Sequence, residues 1–361
     1  MSKTLSITIP TWNRSVLITG LLDQICDQVI SDKIENDVEL LISNNGSDDN
    51  TENACLAYRN KFNFITYHNN GRNIGARDNV LKCFELASGK YIILFGDDDR
   101  IQTGAIKQIL HVLRSNTGID LILVSSNLKS NPFSDGSFIN LLQLVENFYY
   151  NIGNAGLFIY KVSLAKNVLA KHQFSDFNKS WPQTQLMVLG IEDIHKSSCL
   201  ITEIKINAPG LHEQVMVYSS YYLYRTTFFD LIDSIESIKH EIDHKVYISS
   251  RSYLSRNLSQ VSFNILQCGI FVDDTTLRIK TRKHIFSNLK LFNTKEKMYM
   301  SCIASILYLP TFLSKPLSDI FIFILKGRNG LIKKNKFVLA EKQKKSNQLN
   351  SKSNEIREFS F

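Results

Sequence analysis

Residues 91–95 read Tyr-Ile-Ile-Leu-Phe, an unbroken apolar run that ends one residue short of three consecutive carboxylates, Asp97, Asp98 and Asp99. A short apolar run of this kind is the mark of a strand buried on both faces of a parallel sheet, and ligands of such sheets collect just beyond the strands' carboxyl ends. The acids therefore fall where a ligand would sit. Three adjacent carboxylates repel one another, and a hard divalent cation with a preference for oxygen ligands relieves that repulsion. Water relieves it too, since acidic turns are common in loops. The run alone leaves metal site and solvated turn both open, and the rest of the chain has to decide.

The pattern before and after the run is one of alternating strands and helices. Leu5–Ile9 reads as a strand closed by Pro10, and Ser15–Ile30 carries apolar residues at helical spacing. Val38–Ile42 is a second strand and Thr51–Tyr58 a helix. A short strand follows at Phe64–Tyr67, then a helix over Arg77–Ala87 with Gly89 as its C-terminal stop. Leu121–Ser125 reads as a further strand. Such alternation predicts βαβ units and an α/β fold with a mostly parallel sheet flanked by helices. Beyond about residue 215 the pattern changes to long helix-compatible segments, Tyr221–His240 and Tyr247–Leu266. The expected organisation is a catalytic domain over 1–215, a helical region over 216–335 and a basic, polar, disordered tail over 336–361.

Apolar residues make up 43% of the chain and charged residues 21%, which excludes disorder for the chain as a whole. The net charge of +8 is placed unevenly. Lys326, Arg328, Lys333, Lys334, Lys336 and Lys342 crowd one C-terminal stretch, and this predicts an anionic partner surface. No zinc-finger, helix-turn-helix or aromatic RNA-binding pattern accompanies them, so anionic lipid is expected rather than nucleic acid. Cys302–Leu313 and Ile320–Leu325 are strongly apolar but are interrupted by Pro310, Lys315, Pro316 and Asp319. They do not supply the roughly 20 apolar residues of a membrane-crossing helix. Either an interfacial pair dips into one leaflet or a helical pair packs on the protein. Six cysteines lie scattered without a Cys-x-x-Cys pair, and the N-terminus lacks a signal-peptide pattern. Both point to a reducing cytoplasm without a disulfide framework or zinc site.

Four polar clusters fall where a parallel sheet would bring strand ends together: Pro10–Arg14, Asn44–Asp49, Arg72–Arg77 and Asp97–Asp99. Asn and Asp side chains suit hydrogen bonding to a base and ribose, and Arg72 or Arg77 suits phosphate oxygens. Each loop alone has a plain explanation in turn chemistry, or in helix capping by Ser47 and Asp49. Four coinciding by chance is much harder to explain.

Ser6-Ile-Thr-Ile-Pro-Thr-Trp-Asn-Arg14, Leu41–Thr51, Asn73-Ile-Gly-Ala-Arg77 and Gly96-Asp-Asp-Asp99 resemble, in order and spacing, the successive motifs of family 2 glycosyltransferases with the Rossmann-like GT-A fold. The resemblance is firm over about residues 3–115 and weakens through about 215. Gly96–Asp99 and the later Ser180-Trp-Pro-Gln183 look most similar to abequosyltransferase-like enzymes of bacterial O-antigen assembly. The resemblance implies an inverting sugar transfer from a nucleoside-diphosphate donor to a hydroxyl, assisted by Mn2+ or Mg2+. By the same resemblance Pro10, Thr11, Asn13 and Arg14 line the donor pocket with Asn44, Asp49, Asn73 and Gly75, and Arg77 lies beneath the nucleotide. Asp97 and Asp98 are expected to face the donor, and Asp99 is the first choice for the metal, paired either with Asp97 or with Asp98, between which spacing does not choose. Two positions depart from the family pattern: Asn44 stands where an acid is common, and Gly96 opens the acidic run.

The general base is expected among Asp193, Glu192 and Asp176, with Glu192-Asp193 resembling the family's common Glu-Asp pair. Adjacent acids are more often a solvated helix face, and Asp176 reads equally as a loop residue. His212 fits a metal shell or a lid, although a lone loop histidine is usually neither. Gly153–Gly156 offers close backbone approach or an ordinary turn. The basic, apolar C-terminal region fits a lipid-linked oligosaccharide acceptor and a peripheral position on the inner face of a bacterial cell membrane. A sugar nucleotidyltransferase is the rival on the same sheet class, but Pro10–Arg14 is not a glycine-rich phosphate loop. A second rival is a membrane-peripheral scaffold that keeps the fold without catalysis.

Overall fold

A computed structural model describes residues 3–116, 118–124, 132–149, 155–191, 198–206, 229–266, 275–310 and 312–323. Its centre is an eight-stranded sheet: β1 (Leu5–Thr11), β2 (Val38–Asn44), β3 (Ile65–Asn69), β4 (Tyr91–Leu94), β5 (Leu121–Val124), β6 (Phe138–Ile139), β7 (Phe158–Lys161) and β8 (Cys199–Thr202). The spatial order is β3-β2-β1-β4-β7-β5-β8-β6. β1 pairs in parallel with β2 and β4, β2 with β3, and β5 with β8, while β7 runs antiparallel between β4 and β5. The sheet is thus mostly parallel, as the alternating sequence pattern predicts, with two reversed strands that local periodicity does not reveal, β7 and the edge strand β6, which pairs antiparallel with β8.

Every residue of β2 is buried, which is possible only because both faces of the sheet are covered. The helices α1 (Ser15–Ser31), α2 (Thr51–Lys61) and α4 (Ala105–Ser115) contribute Ile18, Leu21, Cys55, Ile106 and Leu110 to one core with Ile7, Ile42 and Ile93 of the strands. On α3 (Ala76–Leu86), Phe84 meets Tyr160 of β7 edge to face at 5.5 Å, and α3 packs with α6 (Val162–Leu169) and α7 (Pro182–Gly190). A further helix, α5 (Leu141–Phe148), opens on a capping box in which Asn140 accepts from the Gln143 amide.

β1 continues through Pro10 rather than stopping there. The Thr8 carbonyl receives the Phe95 amide on the β4 side and the Thr11 carbonyl receives the Asn45 amide on the β2 side. Alternation therefore turns Pro10 toward β4, whose pairing with β1 has already ended at Thr8 and Leu94. The amide that proline lacks has no ladder bond to make there. Gly89 also differs from expectation. α3 ends at Leu86, and Gly89 sits against β1, where a Cβ would come within 2.8 Å of the Ser6 backbone nitrogen. Its amide donates to the Ser6 hydroxyl at 2.8 Å. It is glycine because two backbones meet closely, not because it caps a helix.

The chain divides into two compact units: Met1–Val217 with Asp230–Tyr253, and Tyr218–Phe229 with Leu254–Phe361. The first takes in α8 (Leu231–Ser237), beyond the pattern change near residue 215. Polar contacts account for this. Ser180 donates to Asp230, Gln185 donates to the Ser234 carbonyl and the Ser237 hydroxyl, and Tyr149 donates to the Leu231 carbonyl. α9 (His244–Leu266) begins in this unit. The second unit contains α10 (Thr275–Asn288), α11 (Thr294–Tyr308) and a helical segment over 312–323. No described helix is long and apolar enough to cross a membrane. Cys26, Cys55, Cys83 and Cys199 are buried free thiols and Cys302 is an exposed one.

Candidate active site

The carboxyl ends of β1 and β2 and the loop after β4 open onto a cleft of about 510 Å3 lined by Pro10, Thr11, Asn13, Arg14, Asn45, Asn73, Gly75, Asn79 and Asp97, with Trp12, Ala76 and Val80. Its framework is a lattice of asparagine amides. Asn45 donates to the Asn73 side-chain oxygen Oδ1 at 3.0 Å and accepts from the Ile74 amide at 3.0 Å, which ties the β2 end to the turn before α3. Asn79, nearly buried, accepts from the Ser43 hydroxyl at 2.7 Å and donates to the Ser43 carbonyl at 3.1 Å. Asn73 also accepts from the Gly75 amide at 2.8 Å. Gly46 closes the loop with φ of 64°, and a Cβ there would lie 2.5 Å from the Arg72 backbone. Asn13, at φ 52°, exchanges hydrogen bonds with Asp48 and donates its amide to Ser47 at 2.9 Å. Asn tolerates that left-handed backbone better than most residues.

The acidic run forms one wall. Asp97 is only 8% exposed; it accepts from the Thr11 hydroxyl at 2.8 Å and faces the Arg14 guanidinium at 3.5 Å. Arg14 also reaches Asp98 at 3.3 Å. Asp99 accepts the Gly96 amide at 2.7 Å, and this tight turn leaves little room beside Gly96, where a Cβ would come within 2.9 Å of Asp98 Oδ1. Burial pushes Asp97 up to about 6, and Asp98 and Asp99 add repulsion, while the Thr11 hydroxyl and Arg14 pull the other way. An anionic group held against solvation in this manner is a place where added positive charge is favourable. Among the described residues no group of three or more His, Cys, Asp or Glu side chains is placed to hold a metal ion. The three carboxylates of the run are nevertheless hard oxygen donors of the kind Mn2+ and Mg2+ take, so the residues present fit such an ion as a partial ligand set.

The other expected residues are distributed differently. Pro10, Thr11, Asn13, Arg14, Asn73 and Gly75 line the cleft. Asn44 does not: it is fully buried, donates to the Tyr67 hydroxyl at 2.8 Å and accepts from the Ser47 amide and hydroxyl. Strand alternation puts Asn44 on the sheet face of Ile42 and Tyr67, while its neighbour Asn45 lines the cleft. Asp49 accepts from the Thr51 amide at 2.9 Å and the Ser15 amide at 3.4 Å. Slight burial raises its pKa, but those hydrogen bonds outweigh it and hold the carboxyl below its ordinary value. Arg77 turns aside, pairing with Asp78 at 2.6 Å and donating to the Phe177 carbonyl at 3.3 Å. Arg14 is therefore the guanidinium that lines the cleft. Asp176 is exposed and accepts the Gln173 amide at 2.8 Å across a 3₁₀ turn, Phe174–Asp176. Glu192, Asp193, Gly153, Asn154 and His212 lie outside the described residues.

Asn45 and Asn79 are the site residues that the sequence reading missed. Asn45 was visible as half of an Asn-Asn pair at a strand end, and only the strand's exact length decides which of the two faces the cleft.

Residues 6–160 match the model for glycosyl transferase family 2. This stretch is a family 2 glycosyltransferase domain. It contains the whole of the cleft. A segment of 137 residues is 34% identical to abequosyltransferase RfbV of Salmonella typhimurium, covering 35% of this chain and 40% of that protein. Another of 115 residues is 27% identical to the GalNAc(5)-diNAcBac-PP-undecaprenol beta-1,3-glucosyltransferase of Campylobacter jejuni, covering 32% of this chain and 35% of that one. The chain thus spans about two-fifths or less of the length of these curated relatives. Among solved structures, S. aureus TarS 1-349 in complex with UDP has a TM-score of 0.57 at 16% identity, over 84% of this chain and 89% of that one. That likeness is one of fold, and it extends past the family 2 domain.

Proposed function

We propose that this chain moves a hexosyl or deoxyhexosyl group from a nucleoside-diphosphate donor to a hydroxyl of a lipid-linked glycan, with inversion, in bacterial O-antigen or capsule assembly. The observation that carries the reading is the convergence of Thr11, Arg14, Asn45, Asn73 and Asp97 on one cleft at the strand ends of a family 2 glycosyltransferase domain. Clustered amides suit a nucleoside, and the Arg14 fork suits phosphate oxygens. The similar Campylobacter protein is named for a PP-undecaprenol acceptor, which supports a lipid-linked acceptor and a place on the inner face of the cell membrane.

In an inverting transfer a carboxylate takes the proton of the acceptor hydroxyl as its oxygen attacks the anomeric carbon, and the diphosphate leaves with the bonding electron pair on the opposite face. Asp193 is our choice for that base, with Glu192 and Asp176 as the other acids on the segment. Asp99 and Asp97, with Asp98 beside them, are the residues we assign to a divalent cation, which when bound supplies positive charge to the leaving diphosphate. Arg14 pairs with Asp97 and Asp98 and brings its guanidinium charge to the wall of the cleft. The test is transfer of a labelled sugar from a panel of donors to extracted lipid-linked acceptors, with Mn2+ or Mg2+. Asp99→Ala should lower the rate at least 100-fold; full activity in that variant would remove the assignment.

A further inference from the structure

In the second unit the helical segment 312–323 is inside out. Ser314, Ser318 and Ile322 are wholly buried, and the Ser318 hydroxyl has no hydrogen-bond partner among the described residues. Facing outward instead are Phe312 (74% exposed), Leu313, Leu317, Ile320 and Phe323 (55%). A helix free in water would lower its energy by the opposite rotation, with serines solvated and large apolar side chains inside. α10 and α11 bury an ordinary apolar face, with Ile285, Met300, Ile303 and Leu307 inside, but they leave Phe286 half exposed and Tyr308 71% exposed. Between these elements lies an open apolar groove of about 1020 Å3, lined by Phe286, Cys302, Tyr308, Leu309 and Leu317, with Arg282 and Lys283 also on its walls. Arg282 stacks on the Tyr308 ring at 4.6 Å. Across residues 275–323 the sequence has eight Lys and Arg against two acids, Glu296 and Asp319. Glu296 is buried in the capping box that opens α11.

We infer that this face of the second unit, 275–323, is a monotopic contact for an anionic lipid bilayer. Large outward apolar side chains need a non-aqueous neighbour, and Arg282 and Lys283 on the groove walls, with the basic excess in the sequence of this segment, match negatively charged headgroups. A protein partner would satisfy the apolar residues as well; the one-sided charge of the segment favours an anionic surface. No described helix is long enough to span, so the contact is with one leaflet. The inference rests on and deepens the membrane position given in the proposed function, and because vesicle binding is read without sugar transfer, its failure leaves the assignment of the cleft untouched.

Flotation of the full chain with vesicles tests the contact. The chain should float with phosphatidylglycerol–phosphatidylcholine vesicles and bind pure phosphatidylcholine at least ten-fold more weakly. The triple variant Phe312→Ser, Leu317→Ser, Phe323→Ser should lose at least ten-fold in binding while its circular dichroism and Tm stay unchanged, because the replaced side chains are outward. Lys283→Gln with Lys290→Gln and Lys297→Gln should weaken binding to the anionic vesicles selectively. Binding by the triple serine variant equal to that of the unaltered chain would overturn the inference. So would absence of vesicle binding together with a concentration-dependent dimer that the serine substitutions dissolve, since the face would then belong to a second copy. A large fall in Tm of the serine variant without vesicle binding by either protein would assign the cover to the chain itself.

Discussion

Asp97 is an acid placed where its charge is hard to keep. Its pKa of about 6 in the folded chain lies above the ordinary 3.8, so between those values the folded state binds more protons than the unfolded one. The stabilisation is fully present below about pH 4 and is lost as the pH rises through about 6. At pH 7 the ionised group costs roughly 3 kcal/mol, from about 1.4 kcal/mol for each pKa unit. Urea unfolding of metal-free protein should show stability falling across this window, and Asp97→Asn, which keeps an acceptor for Thr11, should flatten that slope. An equal slope in the variant would place the titration elsewhere. Gly46 is a second residue with a definite requirement. Alanine there meets both a left-handed backbone and the Arg72 main chain at 2.5 Å, so Gly46→Ala should lower stability by on the order of 2–4 kcal/mol. A melting temperature unchanged by this substitution would contradict the close approach.

Among the elements, the strands nearest the site were the most legible, because a buried parallel strand writes itself as an apolar run whatever its neighbours do. Their ends were not. β1 and β2 each run two residues past the apolar pattern, and that extension moves Asn44 out of the cleft and Asn45 into it. Pairing across the sheet was illegible for a similar reason: nothing local to Phe158–Lys161 says that it runs antiparallel between β4 and β5. Arg77 misled because its position in the first turn of α3 is right for a phosphate while its guanidinium finds main-chain carbonyls 98 and 100 residues away in sequence. β2 also hides a polar anchor. Glu39, 5% exposed, accepts from Ser6 at 2.5 Å, from the Ser88 amide at 2.8 Å and from Thr66 at 3.3 Å. It thereby joins β1, β2, β3 and the turn before β4, at the end of the sheet away from the cleft. Glu39→Ala would remove the acceptor of the buried Ser6 hydroxyl and of the part-buried Ser88 and Thr66 bonds, at a cost of roughly 2 kcal/mol. Glu39→Gln should recover part of it. Denaturant midpoints of the two variants check the ranking, and equal midpoints would mean that the carboxylate is not the anchor.

For the molecule as a whole, the family 2 domain accounts for residues 6–160, less than half of the chain, and the remainder carries different physics. The first unit draws in α8 through hydrogen bonds from Ser180 and Gln185, so the Ser180–Gln183 segment that resembled a subgroup of the family serves here partly as a docking edge. The second unit places apolar residues outward among basic ones, a pattern that periodicity alone rendered as two open alternatives. The account stands or falls on the cleft binding a nucleoside diphosphate in company with a metal. Calorimetric titration of the full chain with a panel of nucleoside diphosphates, in the presence and absence of Mn2+, measures this directly. We predict micromolar binding of at least one of them with Mn2+, weakened at least ten-fold without the ion and in Asp99→Ala. Absence of binding to every member of the panel, or binding indifferent to the metal, would contradict the account.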